Sequence, residues 1–380
     1  MNPLQDLCNY DQSIWLDYIR RNILHNGELK RLIEEDKIKG LTSNPAIFEK
    51  AIAHGDDYNE SFAEFARSGG HTAESIYEQL VVYDIQHAAD ILRGVYDETE
   101  GRDGYVSLEV SPKLANDTEA TVKEAKRLWT TLARDNVMIK VPATEAGIPA
   151  IETLISEGIN INATLLFSIA MYEQVAQAYI RGVQRLADSK GKVQKIAGVA
   201  SFFVSRVDSA VDKIIDQRMD AADDKEAEKL LAIRGKVSIA NAKRAYQQYR
   251  HIFDSDQWDA LKQLGARPQR LLWASTGVKN PEYSDVMYIE QLIGPNTVNT
   301  VPPDTLDAFR DHGVPQANLE QGINRAEQVL HTAADLGIDL NAVTDKLLLD
   351  GVDIFAQAFD KLLAAVESIQ AGKKEAVNAQ

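Results

Sequence analysis

The chain has 380 residues, 44% hydrophobic and 26% charged, with a formal net charge of −16. That length can bury a large core, and one α/β barrel with extra helices fits it as well as two domains would. The acidic balance argues against general nucleic-acid binding and for a soluble cytoplasmic protein, and the single cysteine, Cys8, excludes a disulfide framework and a thiolate metal site. The start, Met-Asn-Pro-Leu-Gln-Asp, lacks a basic region followed by an apolar one, and no apolar run reaches membrane-spanning length, so neither export nor membrane insertion is expected.

The first predicted strand covers residues 13–17 and ends in Asp17. A helix follows, with Leu29, Leu32 and Ile33 at helical spacing. In Gly40-Leu41-Thr42-Ser43-Asn44-Pro45 a short strand meets a helix start, Asn44 as N-cap and Pro45 as first helical residue. Residues 46–104 are helical in pattern, with Ile76, Leu80, Tyr83, His87 and Ile91 recurring at three and four. The third strand is 105–110, and Val122, Ala125, Leu128, Trp129 and Leu132 mark the amphipathic helix after it.

Residues 136–144 read Asn-Val-Met-Ile-Lys-Val-Pro-Ala-Thr. Val137, Ile139 and Val141 form one apolar face at period two, Met138 and Lys140 form the other, and Pro142 ends the run. A strand with an apolar outer face belongs in a parallel sheet covered by helices. Lys140 therefore sits near the C-terminal end of a buried strand and points away from its branched neighbours. Desolvation disfavours an ammonium and promotes the neutral amine that a lysine nucleophile needs. The alternative is a buried lysine satisfied by a structural carboxylate.

Thr144 can cap the next helix, whose buried stripe is Ile148, Ile151, Leu154 and Ile155 and which Gly158 ends. The fifth strand is 160–167, with Ser168 capping the helix behind it. The sixth is 197–205, followed by a helix showing Val207, Val211, Ile214 and Ile215. Residues 220–264 turn highly charged and helical, which reads as an inserted pair of helices. Strands seven and eight are 270–275 and 296–301, and the remainder from Pro302 is helical. With no internal repeat or low-complexity linker, residues 1–380 read as one domain.

Eight strands alternating with helices predict a (β/α)₈ TIM barrel with additional helices after strand six and at the C-terminus. Catalytic groups of that fold gather at the C-terminal strand ends. On the face opposite the branched residues, the successive strands offer Asp17, then Thr42 and Asn44, then Ser107 and Glu109, then Lys140. Asn162 and Thr164, Ser201 and Ser205, and finally Ser275 continue the ring. Packing does not explain such a ring, because buried polar atoms need partners. A lysine with two carboxylates and a hydroxyl suits Schiff-base chemistry on a carbonyl. Glu109 and Thr164 could move its protons through a water, and Asp17 could accept the proton of a departing hydroxyl. Asn44 and Asn162 suit polyol hydroxyls, since an amide both donates and accepts. The seven histidines show no ligand spacing, so a metal-dependent aldolase is disfavoured. No cofactor is expected.

Five stretches then carry a resemblance. They are 39–45 (Lys-Gly-Leu-Thr-Ser-Asn-Pro), 137–144, 159–168 (Ile-Asn-Ile-Asn-Ala-Thr-Leu-Leu-Phe-Ser), 200–208 (Ala-Ser-Phe-Phe-Val-Ser-Arg-Val-Asp) and 273–277 (Trp-Ala-Ser-Thr-Gly). In this order, from about Ser13 to past Pro303, the chain resembles the transaldolases. The resemblance implies a class I aldolase-type barrel that moves a dihydroxyacetone unit between sugar phosphates in the non-oxidative pentose phosphate pathway. Sedoheptulose 7-phosphate and glyceraldehyde 3-phosphate would give erythrose 4-phosphate and fructose 6-phosphate. It implies Lys140 as the Schiff-base lysine, Asp17 as the acid/base and Glu109 with Thr164 as the pair that positions the catalytic water. Asn44 and Asn162 match substrate-binding asparagines, and Ser201, Arg206 and Ser275 match hydroxyl and phosphate contacts. Better-known transaldolases have a basic residue two positions after the strand-seven serine, where this chain has Gly277. Here the next basic residue is Lys279, as in a longer-chain subgroup, and it is the candidate for the second phosphate contact. A sugar-phosphate aldolase of the same superfamily and a non-catalytic sugar-phosphate-binding barrel are the rival readings. A monomer and a homodimer both fit.

Overall fold

Period-two alternation in eight short segments closes them into one barrel. The computed structural model describes residues 2–378. The strands are β1 (Gln12–Leu16), β2 (Gly40–Thr42), β3 (Tyr105–Glu109), β4 (Val137–Pro142), β5 (Ile161–Leu166), β6 (Gly198–Phe203), β7 (Arg270–Ala274) and β8 (Thr297–Val301). They are parallel, follow one another in sequence order, and β8 pairs back to β1, so the expected (β/α)₈ barrel is what forms.

Strand parity divides the packing. Val137, Ile139, Val141, Ile161, Ala163 and Phe202 face outward into the shell shared with the helices. Met138 joins Trp15, Val199, Leu272 and Val298 in the other cluster, inside the barrel. Burying one large aliphatic side chain contributes about 1.5–3 kcal/mol, and truncating it to alanine costs about 2–5 kcal/mol. Register then builds a polar layer above the apolar one: Glu109 lies opposite Lys140, Lys140 opposite Asn162, and Pro142 opposite Thr164. Beyond Ala163 the register shifts, and Leu165 takes a left-handed backbone with φ 62°. This bulge keeps Thr164 inward while returning Leu166 to the outer shell.

Loop chemistry fixes the strand ends. The Asn44 side chain accepts from the Ile47 amide at 3.0 Å and starts the Pro45–Ala53 helix, and Ser168 caps Ile169–Asp188 in the same way at 3.1 Å. After β4 the Thr144 hydroxyl accepts from the Gly147 amide at 2.9 Å, so it caps the turn and the helix proper begins at Gly147. A Cβ at Gly147 would lie 1.9 Å from the Pro142 carbonyl oxygen, so this turn over the end of β4 requires glycine.

Residues 220–264 differ from expectation. They hold three helices, Asp224–Ile233, Val237–Phe253 and Asp256–Gln263, instead of an inserted pair. The middle one is barrel wall, packed on Ile169–Asp188 and Ile323–Asp335 and touching β7. Its charges obscured an apolar stripe of Ala240, Ala245, Tyr249, Ile252 and Phe253. Even Lys243 is buried there, donating to the Asn318 and Gln321 carbonyls at 2.8 and 2.9 Å. The chain closes with one long helix, Leu340–Asn378, which packs on Pro45–Ala53 and Asn59–Ser68 and brings Phe355 to the barrel mouth. No helix of the described residues is long and apolar enough to cross a membrane.

Candidate active site

Lys140 is 4% exposed. Its Nζ donates to the Ser43 carbonyl at 3.0 Å and stands 3.3 Å from Glu109 Oε2. Neither Glu109 oxygen accepts a directed hydrogen bond among the described residues, and Thr164 Oγ1 is likewise buried without a partner. Burial pushes the Glu109 carboxyl above its ordinary range, against the pull of Lys140, and Asp17 pushes it further. Asp17 follows β1 and accepts from the Thr42 hydroxyl at 2.7 Å, while Thr42 and Thr300 hydroxyls lie 2.6 Å apart. Asp17 is half-buried on the cleft floor, and desolvation raises its pKa despite Lys140 and the Thr42 bond.

These groups open into a cleft of 770 Å³ at the C-terminal ends of the strands. Eight of the ten sequence-predicted residues line it: Asp17, Asn44, Lys140, Thr164, Ser201, Arg206, Ser275 and Lys279. Glu109 lies behind Lys140 and faces another cavity. Asn162 does not line the cleft either. Its amide nitrogen donates to Ser107 at 3.1 Å and its oxygen accepts from Ser201 at 2.7 Å, with no exposure. It aims Ser201 from beneath the floor.

The cationic wall comes from loops after β6 and β7. Arg206 opens the Ser205–Met219 helix, is half-buried, and has no carboxylate partner among the described residues. Phe203 and Phe355 hold its guanidinium, at 5.2 and 5.9 Å from the ring centroids. Burial pulls its pKa below the usual guanidinium value, opposed by the charges of Asp17 and Glu109. The Ser205 and Val207 amides are already bonded to the Ser275 and Val204 carbonyls at 3.0 Å, so the side chain, more than the helix end, offers the anion contact. Ser275 holds a left-handed backbone at φ 55°, uncommon for a non-glycine residue, and its hydroxyl sits 3.0 Å from that of Ser205. Lys279 is exposed at the rim, and its Nζ lies 3.8 Å from where a Cβ at Gly277 would stand. The glycine leaves room for the ammonium to fold back toward the cleft.

Sequence reasoning missed Phe355, which stands 6.0 Å from the Lys140 ammonium by ring centroid, and Thr300, which completes the hydroxyl chain to Asp17. Thr300 sits on the inward parity of β8 and was legible that way. Phe355 lies in a helix that no local pattern ties to the barrel.

A closed parallel barrel with a buried lysine, two carboxylates and an arginine that no described carboxylate pairs at its C-terminal mouth is a (β/α)₈-barrel enzyme. The chain belongs to the transaldolase/fructose-6-phosphate aldolase family, whose profile matches residues 14–366. It is 50% identical to "Transaldolase 2" of Nostoc sp. over 372 residues, 97% of each chain. It is 48% identical to "Transaldolase" of Trichodesmium erythraeum, over 96% of this chain and 97% of that one. It is 46% identical to "Transaldolase" of Thiobacillus denitrificans, over 96% of this chain and all of that one.

Proposed function

We propose that the protein is a transaldolase that passes a dihydroxyacetone unit between sugar phosphates through an imine on Lys140, as in the non-oxidative pentose phosphate pathway. The observation that carries this reading is Lys140 on the cleft floor with Asp17, backed at 3.3 Å by the buried Glu109 carboxylate. The Lys140 amine attacks C2 of the donor ketose. Glu109, whose raised pKa suits it to carry a proton, protonates the carbinolamine oxygen through a water shared with Thr164. Water leaves and the imine forms.

Asp17 then takes the proton of the C4 hydroxyl as the C3–C4 bond breaks, and the bonding electrons move into the iminium to give an enamine. The aldose phosphate departs, another aldehyde takes its place, and the steps reverse. Arg206 and Lys279 hold the phosphate, Ser275 adds a hydroxyl, and Asn44 and Ser201 meet sugar hydroxyls, with Asn162 positioning Ser201.

Fructose 6-phosphate with borohydride should label the peptide that contains Lys140. With erythrose 4-phosphate present, the seven-carbon ketose phosphate should exceed free dihydroxyacetone. Label on another lysine would remove the mechanism, and mainly free dihydroxyacetone would make the protein an aldolase.

A further inference from the structure

A second cavity, of 310 Å³, lies across the Lys140–Glu109 pair from the substrate cleft. Lys140 lines the cleft and Glu109 does not, whereas Glu109 lines the second cavity and Lys140 does not. The pair is the partition between two spaces. The second cavity runs beside the Ala73–Ile91 helix and the loop after β3, with exposed Glu74 and Lys113 among its lining. Its inner end is Glu109, whose side chain is 2% exposed, with both carboxylate oxygens buried and free of hydrogen-bond donors among the described residues.

The C-terminal helix separates the two spaces. Phe355 faces the cleft, and Phe359, one turn further along the same face, lines the second cavity. Phe359 packs edge-on against Tyr77 at 5.4 Å and lies 5.7 Å from Lys113 Nζ, which is tied to Asp360 at 2.7 Å. Glu74, Glu78 and Glu124 also line the cavity, and this acidic wall repels a sugar phosphate. The volume suits several waters at about 30 Å³ each, with Glu109, Ser111 and Tyr77 as polar partners.

We propose that this cavity is a solvent port, carrying water to and from Glu109 while the sugar phosphate fills the cleft. The proposal rests on the Schiff-base reading above. In imine formation the carbinolamine C–O bond breaks, the Glu109 carboxyl gives its proton to the leaving oxygen, and the nitrogen lone pair closes the C=N bond. One water is released. In hydrolysis water adds to C2 and Glu109 takes its proton; that proton then passes to nitrogen as the C–N bond breaks, and the hydroxyl proton on C2 returns to Glu109 as the C=O closes. Each turnover moves one water out and one in at C2 while the sugar phosphate occupies the cleft.

The test uses the intact enzyme with fructose 6-phosphate in oxygen-18 water. Label washed into the ketone oxygen, corrected for the enzyme-free rate, is divided by the rate of borohydride-trapped imine formation. Val82→Trp narrows the cavity from the helix and Ser111→Phe from the loop, and neither residue lines the cleft. Each is expected to lower the ratio at least about fivefold, because water held at the site returns to the same carbon. A general loss of stability changes both rates together, and if one variant fails to fold the other decides. A folded variant with the wild-type ratio would show that water exchanges through the cleft, and would overturn the port. Failure to trap any Lys140 adduct in the wild type would instead overturn the Schiff-base reading.

Discussion

At the N-terminal end of the barrel Arg270 meets Asp103 at 2.8 Å, and Ser13 and Trp15 donate to the same carboxylate at 2.7 and 3.0 Å. At the C-terminal end Lys140 meets Glu109 at 3.3 Å, and Glu109 accepts no directed hydrogen bond from the described residues. All four residues are buried, between 1% and 7% exposed. Desolvation therefore acts on both pairs, and the difference is how fully each is answered. Burial would raise the Asp103 carboxyl, but Arg270 and the hydrogen bonds more than offset it and hold it below its ordinary range. Burial prevails at Glu109 and Asp17, and both rise. One end uses buried charge to fix the barrel, and the other leaves it unsatisfied, as the proposed chemistry requires.

The largest way to break this comparison is Asp17→Asn. Losing a positioned base should slow carbon–carbon cleavage by about two to four orders of magnitude, with imine trapping on Lys140 retained. The same change removes a charge that the fold disfavours, so the midpoint of thermal unfolding should rise. Near-normal turnover, or a lower midpoint, would mean that Asp17 belongs with the structural charges.

Next is Arg270→Leu, which leaves Asp103 buried and alone. Urea unfolding should show a loss of about 3–5 kcal/mol, as for a broken buried pair. Lys140→Met should cost less, because the Glu109 carboxyl already lies raised toward its neutral form. The two ends should also titrate with opposite sign. Asp103, depressed in the fold, contributes stability that is present above its unfolded value near 3.8 and is lost as pH falls through its folded value. Asp17 and Glu109, raised in the fold, contribute stability that is complete below their unfolded values and lost as pH rises through the folded ones. Asp103→Asn should flatten the acid limb of the stability profile, and Asp17→Asn the opposite limb.

Strand parity made one end legible and hid the other. Inward residues near strand ends stood out as a polar ring because Asp17, Lys140 and Thr164 interrupt apolar strands. Asp103 precedes β3 in a polar loop, and only the closed barrel brings it to Arg270 at the start of β7. The β5 bulge was hidden for another reason. Leu165 carries φ 62° without being glycine, so nothing in the local chemistry announced it. Asn162 has the inward parity, but its hydrogen bonds to Ser107 and Ser201 at both ends of the amide form only when the strands close together. Phe355 shows the limit of periodicity, which tells that a helix buries a face but not what that face covers.

A smaller effect sharpens the comparison at the cationic wall. Arg206→Ala should raise KM for sugar phosphates at least about tenfold, equivalent to about 1.4 kcal/mol. Inorganic phosphate should compete in the wild type and lose potency in the variant. Unchanged KM with unchanged phosphate inhibition would show that Arg206, though unpaired, faces no anion.

The smallest predicted effect concerns Lys279, to whose exposed ammonium we assign the same task. An exposed point charge holds phosphate weakly and through solvent screening, so Lys279→Ala should raise KM only about two- to threefold. Salt should shrink that difference, whereas the Arg206 effect should persist. Position 277 supplies the decisive variant. Its backbone φ is not left-handed, and an added Cβ would meet Pro302 Cγ at 3.2 Å and Thr305 Oγ1 at 3.4 Å, which asks a small adjustment of each. An arginine there could direct its guanidinium into the space the Lys279 ammonium occupies, 3.8 Å from that Cβ. Gly277→Arg in the Lys279→Ala background should therefore restore KM to the wild-type value or below it. A double variant that binds sugar phosphates no better than Lys279→Ala alone would mean that this edge of the cleft does not touch the phosphate. Arg206 would then hold the anion alone.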